Sequence, residues 1–452
     1  MSIKQSLALL AAMGAAVPAA AQTTTSSLPP YENAPSWTGF YVGAAFGAGA
    51  LANRIDTSAA GATLTLDTVG GSGVLGSIYG GVDYRILPRA VIGVLAEVTW
   101  SGFQGSASAQ VPGGVNAYAS SRANFGWAAL ARAGVLANPS TLLYFVGGYA
   151  GQNIHTDASA AAGGATANFS NDTTVNGWTV GSGIESMIGG GWSAKLEYRY
   201  SQFEHKTLPG TSITMAPSTQ AVRAGLSYHF GGLGPSPSDQ EPAAPPAPTN
   251  WTGFYLGVAG GGAIGVNRAT ATFGGASAAI DGAGQSLLGS VFGGFDYQFA
   301  RQGVVGVMGD YSWTGLQSTS TLSDSGGGLM LSARADRSWS AMARLGFLPV
   351  PSTLVYAAGG YAGENVITQA LAVAGGASLY GSQDVSMSGW TVGPGIETVV
   401  TGGWTPRLEY RYSQFEQKQL VNGVTLQPSS HTIRAGLSYK FGVGVPAPGG
   451  GE

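Results

Sequence analysis

Sixteen charged side chains are the residues of this chain best placed to do chemistry. They are Asp83, Glu97, Arg132, Glu185, Lys195, Glu197, Arg199 and Arg223 in the first half, and Asp296, Asp310, Arg344, Glu397, Arg407, Glu409, Arg411 and Arg434 in the second. Each set holds four acids and four bases, so each can neutralise itself. Ionised groups are tolerated out of water when paired and are costly when a partner is lost. The set therefore reads as a structural salt-bridge ladder, against the alternative of a narrow polar path for ions or small solutes. Other constellations are weaker. His155, His205, His229 and His431 have no metal-ligand spacing and none recurs as a histidine in the other half, which suits loop or lumen surface. Gly71 to Gly76 matches G-x-G-x-x-G, but an alternating strand follows it and no helix N-terminus is available for a pyrophosphate. There is no G-x-S-x-G elbow and no H-E-x-x-H. The absence of cysteine removes disulfides, thiolate zinc sites and cysteine nucleophiles together. No nucleophile and base can be assembled, so the expectation is a non-enzyme without a cofactor or metal. A net charge of −3 gives no electrostatic ground for binding nucleic acid.

The elements that carry these charges alternate with period two. Val222, Ala224, Leu226, Tyr228 and Phe230 interleave with Arg223, Gly225, Ser227 and His229. Ile433, Ala435, Leu437, Tyr439 and Phe441 interleave in the same way with Arg434, Gly436, Ser438 and Lys440. Leu196, Tyr198 and Tyr200 alternate with Lys195, Glu197, Arg199 and Ser201. One face suits lipid and the other a polar interior. Arg199, Glu197 and Arg223, on neighbouring strands about 4.8 Å apart, are expected to meet.

The chain is a duplication. Leu196 to Glu204 (LEYRYSQFE) is identical to Leu408 to Glu416, and Trp37-Thr38-Gly39-Phe40-Tyr41 recurs at Trp251 to Tyr255. The ten tryptophans pair across the repeat as Trp37/Trp251, Trp100/Trp313, Trp127/Trp339, Trp178/Trp390 and Trp192/Trp404. They read as aromatic girdles at the two lipid–water boundaries. Only 10% of residues are charged, against about 25% in an ordinary soluble protein. No apolar run beyond the N-terminal segment is long enough for a membrane helix, so apolar surface must lie on strands. Eight extended runs appear in the first copy, near 39–50, 73–86, 91–103, 120–136, 141–152, 174–188, 192–204 and 219–230. Long polar connections alternate with tight turns at Leu87-Pro88-Arg89, Asn138-Pro139-Ser140 and Gly189-Gly190-Gly191. Long loops on one side and short turns on the other is the plan of an outer-membrane barrel. Lys4, the apolar run Ser6 to Val17 and Ala19-Ala20-Ala21 have the layout of a signal peptide cleaved after Ala21.

The predicted organisation is all-β, with two tandem eight-stranded antiparallel transmembrane barrels. It runs as signal peptide 1–21, leader 22–36, barrel 37–230, Pro-rich periplasmic linker 231–250, barrel 251–441 and flexible tail 442–452. The motifs W-T-G-F-Y, L-E-Y-R-Y and R-A-G-L-S-Y-x-F resemble those of the opacity-like, surface-antigen family of small eight-stranded outer-membrane barrels. Members of that family usually have one barrel, and here the likeness covers both copies. The resemblance implies outer-membrane location in a Gram-negative cell and contact with lipid and lipopolysaccharide. It also implies recognition of the last strands, ending at Phe230 and Phe441, by the insertion machinery. The function expected is structural, with loops displayed at the surface for interaction. The alternative is a porin-like or ligand-binding transporter for a small solute or haem, with a single merged sixteen-stranded pore as one form of it.

Overall fold

The computed structural model describes residues 37–59, 62–111, 115–162, 164–207, 214–231, 250–273, 275–324, 327–374, 377–400, 402–421 and 423–441. The signal peptide, the leader, most of the linker and the tail expected above lie outside the described residues. The first copy forms β1 (Gly39–Ala59), β2 (Ala62–Leu87), β3 (Ala90–Val111), β4 (Val115–Asn138), β5 (Thr141–Ala162), β6 (Ala165–Gly189), β7 (Trp192–Phe203), a two-residue β8 (Lys206–Thr207) and β9 (Thr214–Gly231). The second forms β10 (Gly253–Phe273), β11 (Ala276–Gln298), β12 (Gly303–Asp324), β13 (Gly327–Val350), β14 (Thr353–Ala374), β15 (Ala377–Thr398), β16 (Trp404–Phe415), β17 (Lys418–Val421) and β18 (Val424–Lys440).

All strand pairings are antiparallel, and the sheet closes as a barrel. Within the first copy, β1 pairs with β2 on one side and with β9 on the other. Within the second, β10 pairs with β11 and with β18. Each copy's neighbour relations thus return to its own first strand, which among the described residues leaves no unpaired edge inside lipid. Two further ladders, β3 with β11 and β2 with β12, join the copies.

The strands are much longer than the runs counted from alternation. β2 has 26 residues and β4 has 24, whereas a tilted strand needs about 9–11 to cross a bilayer. The segments expected as long loops are ladders that run almost to their tips, as at Ala59↔Ala62, Ala162↔Ala165 and Phe273↔Ala276. An antiparallel hairpin satisfies its own backbone groups, so Ala-, Ser- and Thr-rich chain can stay extended without a core. Register shifts fall at matching places in the two copies, between Trp100 and Phe103 and between Trp313 and Leu316. Bulges of this kind favour barrel rims. At the other end the connections are tight. Gly190 (φ 60°) and Gly191 (φ 81°), and their equivalents Gly402 (φ 55°) and Gly403 (φ 86°), hold left-handed backbone that only glycine adopts at little cost.

Alternation sets the two faces. On β3, Ile92, Val94 and Trp100 are exposed while Val91, Leu95, Glu97 and Thr99 are buried. The interior is layered rather than uniformly polar. Near the tight turns it is filled by Trp37, Tyr41, Tyr79, Leu95, Leu130 and Tyr144 in the first copy. Trp251, Tyr255, Phe292, Met308, Met342 and Tyr356 do the same in the second. Further along come the charges, and beyond them Leu51, Leu75 and Phe103, or Leu288, Leu316 and Phe415.

The girdle assignment needs one correction. Trp100, Trp127, Trp178, Trp192, Trp313, Trp339, Trp390 and Trp404 are exposed on the outer face. Trp37 and Trp251 are 1% and 0% exposed. Their indole Nε1 groups donate to the carbonyls of Pro139 and Pro351, each at 2.9 Å. Both precede the first strand of their copy, so they fold under the barrel end and plug it rather than continuing the outward face.

Candidate functional site: the charged interior

Each of the sixteen charged residues singled out from sequence is buried. They come from β2, β3, β4, β6, β7 and β9 in the first copy and from the equivalent strands in the second. Because these strands surround one narrow lumen, charges distant in sequence meet across it.

In the first copy the group nearest the turns is centred on Arg132. Its Nη1 donates to Asp83 Oδ2 at 2.9 Å, and its Nη2 pairs with Glu185. Glu185 also accepts from Ser193 at 2.5 Å and lies 3.3 Å from His229 Nε2. The Arg132 guanidinium stacks 4.0 Å from the centroid of the Tyr144 ring, a favourable cation–π placement. Asp83 reaches Arg132 over Gly93, its register neighbour on β3. A Cβ at residue 93 would collide with Asp83 Oδ1, so this close approach requires glycine. Gly306 stands in the same relation to Asp296.

The second group lies farther along the lumen. Arg199 pairs with Glu197 and, at 3.1 Å, with Glu97. Glu97 also pairs with Arg223 and accepts from Thr99 Oγ1 at 2.8 Å. Tyr144 Oη donates to Glu197 at 2.9 Å, and Lys195 Nζ is 3.8 Å from it. Arg223 and Glu197 are direct register partners on adjacent strands, yet the guanidinium of Arg223 crosses the lumen to Glu97. The expected ion pair between β7 and β9 is therefore not made: Arg199 pairs with Glu197 along β7 itself, and Arg223 bridges to β3 instead.

The second copy repeats the plan with altered parts. Arg344 pairs with Asp296 and, at 3.1 Å, with Glu397, while Lys440 adds a second cation on Asp296. Arg407 pairs with Glu409 at 2.7 Å; Arg411 joins Glu409 and Asp310; Arg434 pairs with Asp310 at 2.5 Å. Tyr356 Oη donates to Glu409 at 2.5 Å. Lys195 over Tyr79 becomes Arg407 over Phe292, with cation-to-centroid distances of 3.5 and 3.7 Å.

Two pairs of equivalent residues were missed from sequence. His229 and Lys440 occupy the same repeat position and both join the network. Comparison of histidine with histidine concealed this, whereas a comparison of basic side chains reveals it. The other pair is Gln152 and Glu364. Gln152 donates to the carbonyls of Phe125 and Asn153, at 3.0 and 3.1 Å. Glu364 is buried beside a small cavity above the second copy's network, lined also by Ser312, Arg411 and Arg434. Each copy has such a cavity, of about 30 Å³, room for a water or two and not for an organic solute. Among the described residues no group of His, Asp and Glu has the arrangement of a metal site.

The remaining histidines lie elsewhere. His155 is on the hairpin extension, within 3.0 Å of Asp172 and 3.1 Å of Asp157. His431 points outward from its strand but is buried, with its Nδ1 2.7 Å from Tyr410 Oη. His205 is exposed.

The family model described as outer membrane protein beta-barrel domain matches residues 7–230 and again 242–441. The 31 kDa outer-membrane immunogenic protein of Brucella melitensis biotype 1 is 29% identical over 217 residues, covering 44% of this chain and 90% of that protein. The 22 kDa outer membrane protein of Rhizobium leguminosarum bv. viciae is 31% identical over 208 residues, covering 45% of this chain and 83% of that protein. Among solved structures, Neisserial surface protein A aligns at 18% identity with a TM-score of 0.22, covering 43% of this chain and 98% of its own. Ail of Yersinia pestis aligns at 14% identity with a TM-score of 0.22, covering 42% and 99%.

Proposed function

The chain belongs to the outer membrane protein beta-barrel family, and from that premise we propose that it is a non-enzymatic protein that holds long β-hairpins at the cell surface for interaction. Its location is the outer membrane. The observation that carries the proposal is the buried charge network. Both interiors are crossed by paired arginines and carboxylates, with aromatic side chains packed beneath them and a water-sized cavity above each network. Such an interior supports the hairpins mechanically and offers little room for a permeating solute. The hairpin ladders extend beyond the buried networks, and the Brucella relative is named as immunogenic. The outward apolar face and its tryptophans suit contact with lipid and lipopolysaccharide. The last strands, ending in the exposed Phe230 and Phe441, suit recognition by the insertion machinery.

The test is epitope accessibility on intact cells. Tags inserted after Gly164 and Gly275, at two hairpin tips, should bind antibody without permeabilisation. Tags in the turns at Pro139 and Pro351 should bind only after it. The opposite pattern would invert the orientation and remove the surface-interaction reading.

A further inference from the structure

We infer that the two copies pack side by side as a pseudo-two-fold pair within one chain, each offering the same outer face to the other. Three sets of contacts, at different heights along the barrels, obey one operator.

The first is apolar. Ile184, Leu196 and Val222 of the first copy form one buried cluster with Ile396, Leu408 and Ile433 of the second. These are repeat equivalents, 212, 212 and 211 positions apart. All six alternate outward on their strands, where a lone barrel would show them to lipid. The equivalent outward pair Val94 and Val307, away from this contact, is 57% and 61% exposed. The second set is polar. Thr141 Oγ1 lies 3.1 Å from Thr353 Oγ1, its own equivalent 212 residues on. A residue meeting its own counterpart marks the axis. Ser186 at 3.2 Å from Thr141 and Thr398 at 3.0 Å from Thr353 flank the pair symmetrically. The third set is backbone pairing beyond the barrels. The β3–β11 ladder runs from Ser277↔Gln110 to Ile280↔Ala107, and the β2–β12 ladder from Ser323↔Thr63 to Ser320↔Leu66. With the repeat offsets of 214 for Thr63 and 213 for Gln110, the second ladder is the image of the first, residue for residue.

Equivalents meet at the same end of both copies, so the axis runs along the barrels and both copies point the same way. A contact of one patch with its own counterpart is isologous, the form used by two-fold homodimers. Lipid offers no hydrophobic drive for joining two apolar faces, so association rests on packing and hydrogen bonds. Thr141, Ser186, Thr353 and Thr398, each fully buried, supply those bonds away from lipid. The partner this face fits is a second barrel of the same kind, and the duplication provides it in the same chain.

The chain has no cysteine, so engineered pairs report cleanly. In full-length protein inserted in outer membranes, T141C/T353C should oxidise to an intramolecular disulfide, seen as a reductant-sensitive mobility shift. The pair S106C/D281C, whose native side chains approach to 2.8 Å near the external ladder, should do the same and does not disturb the threonine axis. V94C/V307C should stay reduced. Heat-modifiability on gels identifies the folded chains to be scored. Folded chains in which neither seam pair oxidises, or in which V94C/V307C oxidises equally fast, would overturn the inference. Disulfides that form between chains rather than within them would overturn it too. If T141C/T353C fails to insert, S106C/D281C decides alone.

Discussion

Replacing Arg132 by methionine probes the interior most sharply, because the consequences for its two partners differ. Glu185 keeps Ser193 and His229. Asp83 keeps nothing: its Oδ2 bonds only Arg132, and its Oδ1 has no partner. The variant should therefore strand one buried carboxylate, at a cost of about 3–5 kcal/mol. Arg199→Met also removes two ion pairs, but Glu97 retains Arg223 and Glu197 retains Lys195 and Tyr144. Its loss should be nearer about 2 kcal/mol, the scale of a charged hydrogen bond. In the second copy Arg344→Met leaves Asp296 with Lys440 and strands Glu397 instead. The neutralising rescue should follow: Asp83→Asn restores stability to Arg132→Met while Glu185→Gln does not. Glu397→Gln rescues Arg344→Met while Asp296→Asn does not. Urea titration of protein folded in lipid vesicles, read by tryptophan fluorescence with the denaturant slope held constant, measures each difference. Equal losses for Arg132→Met and Arg199→Met, or rescue by the wrong carboxylate, would refute the assignment of partners.

Other expectations follow from single contacts. Gly93→Ala and Gly306→Ala drive a methyl into Asp83 and Asp296, and each should lower stability by about 1–3 kcal/mol, the range for overpacking, in the same urea titration. Quenching by brominated lipid should fall when Trp100 or Trp178 is replaced by phenylalanine and stay unchanged for Trp37→Phe, since Trp37, unlike Trp100 and Trp178, is shielded from the outer face. On the β5–β6 hairpin the hydrogen bond that His155 donates to Asp172, with help from Asp157, raises the pKa of His155 above its ordinary value; Arg122 is its register partner on the other side. A raised folded pKa gives stabilisation that is fully present below the ordinary histidine value, about 6.5, and is lost as pH rises through the raised one. Limited proteolysis of this hairpin should therefore be slower at pH 5.5 than at pH 8.5, and His155→Gln should erase the difference.

Much of this was legible in the sequence because strands impose parity. Arg223 between Val222 and Ala224 can only point inward if its neighbours face lipid, and the same logic placed all sixteen charges inside. The duplication doubled each signal. What parity could not supply was distance across the barrel. It put Arg223 beside Glu197, whereas the side chain spans the lumen to Glu97. Parity also failed just outside the strands, where Trp37 and Trp251 turn under the barrel to reach Pro139 and Pro351. The hairpin extensions were hidden because apolar alternation disappears where neither face is buried, although backbone pairing continues. The seam between copies was invisible for a related reason: Leu196 reads as lipid-facing whether lipid or a second barrel covers it.

The central claim is that the charge network closes both interiors, and single-channel recording in planar bilayers tests it most directly. The native protein should show little or no steady conductance, and Arg132→Met, which removes the side chain at the centre of one network, should add leakage together with its loss of stability. A large stable conductance in the native protein, with Arg132→Met changing neither it nor stability, would make the charges a solvated pore lining and the protein a porin.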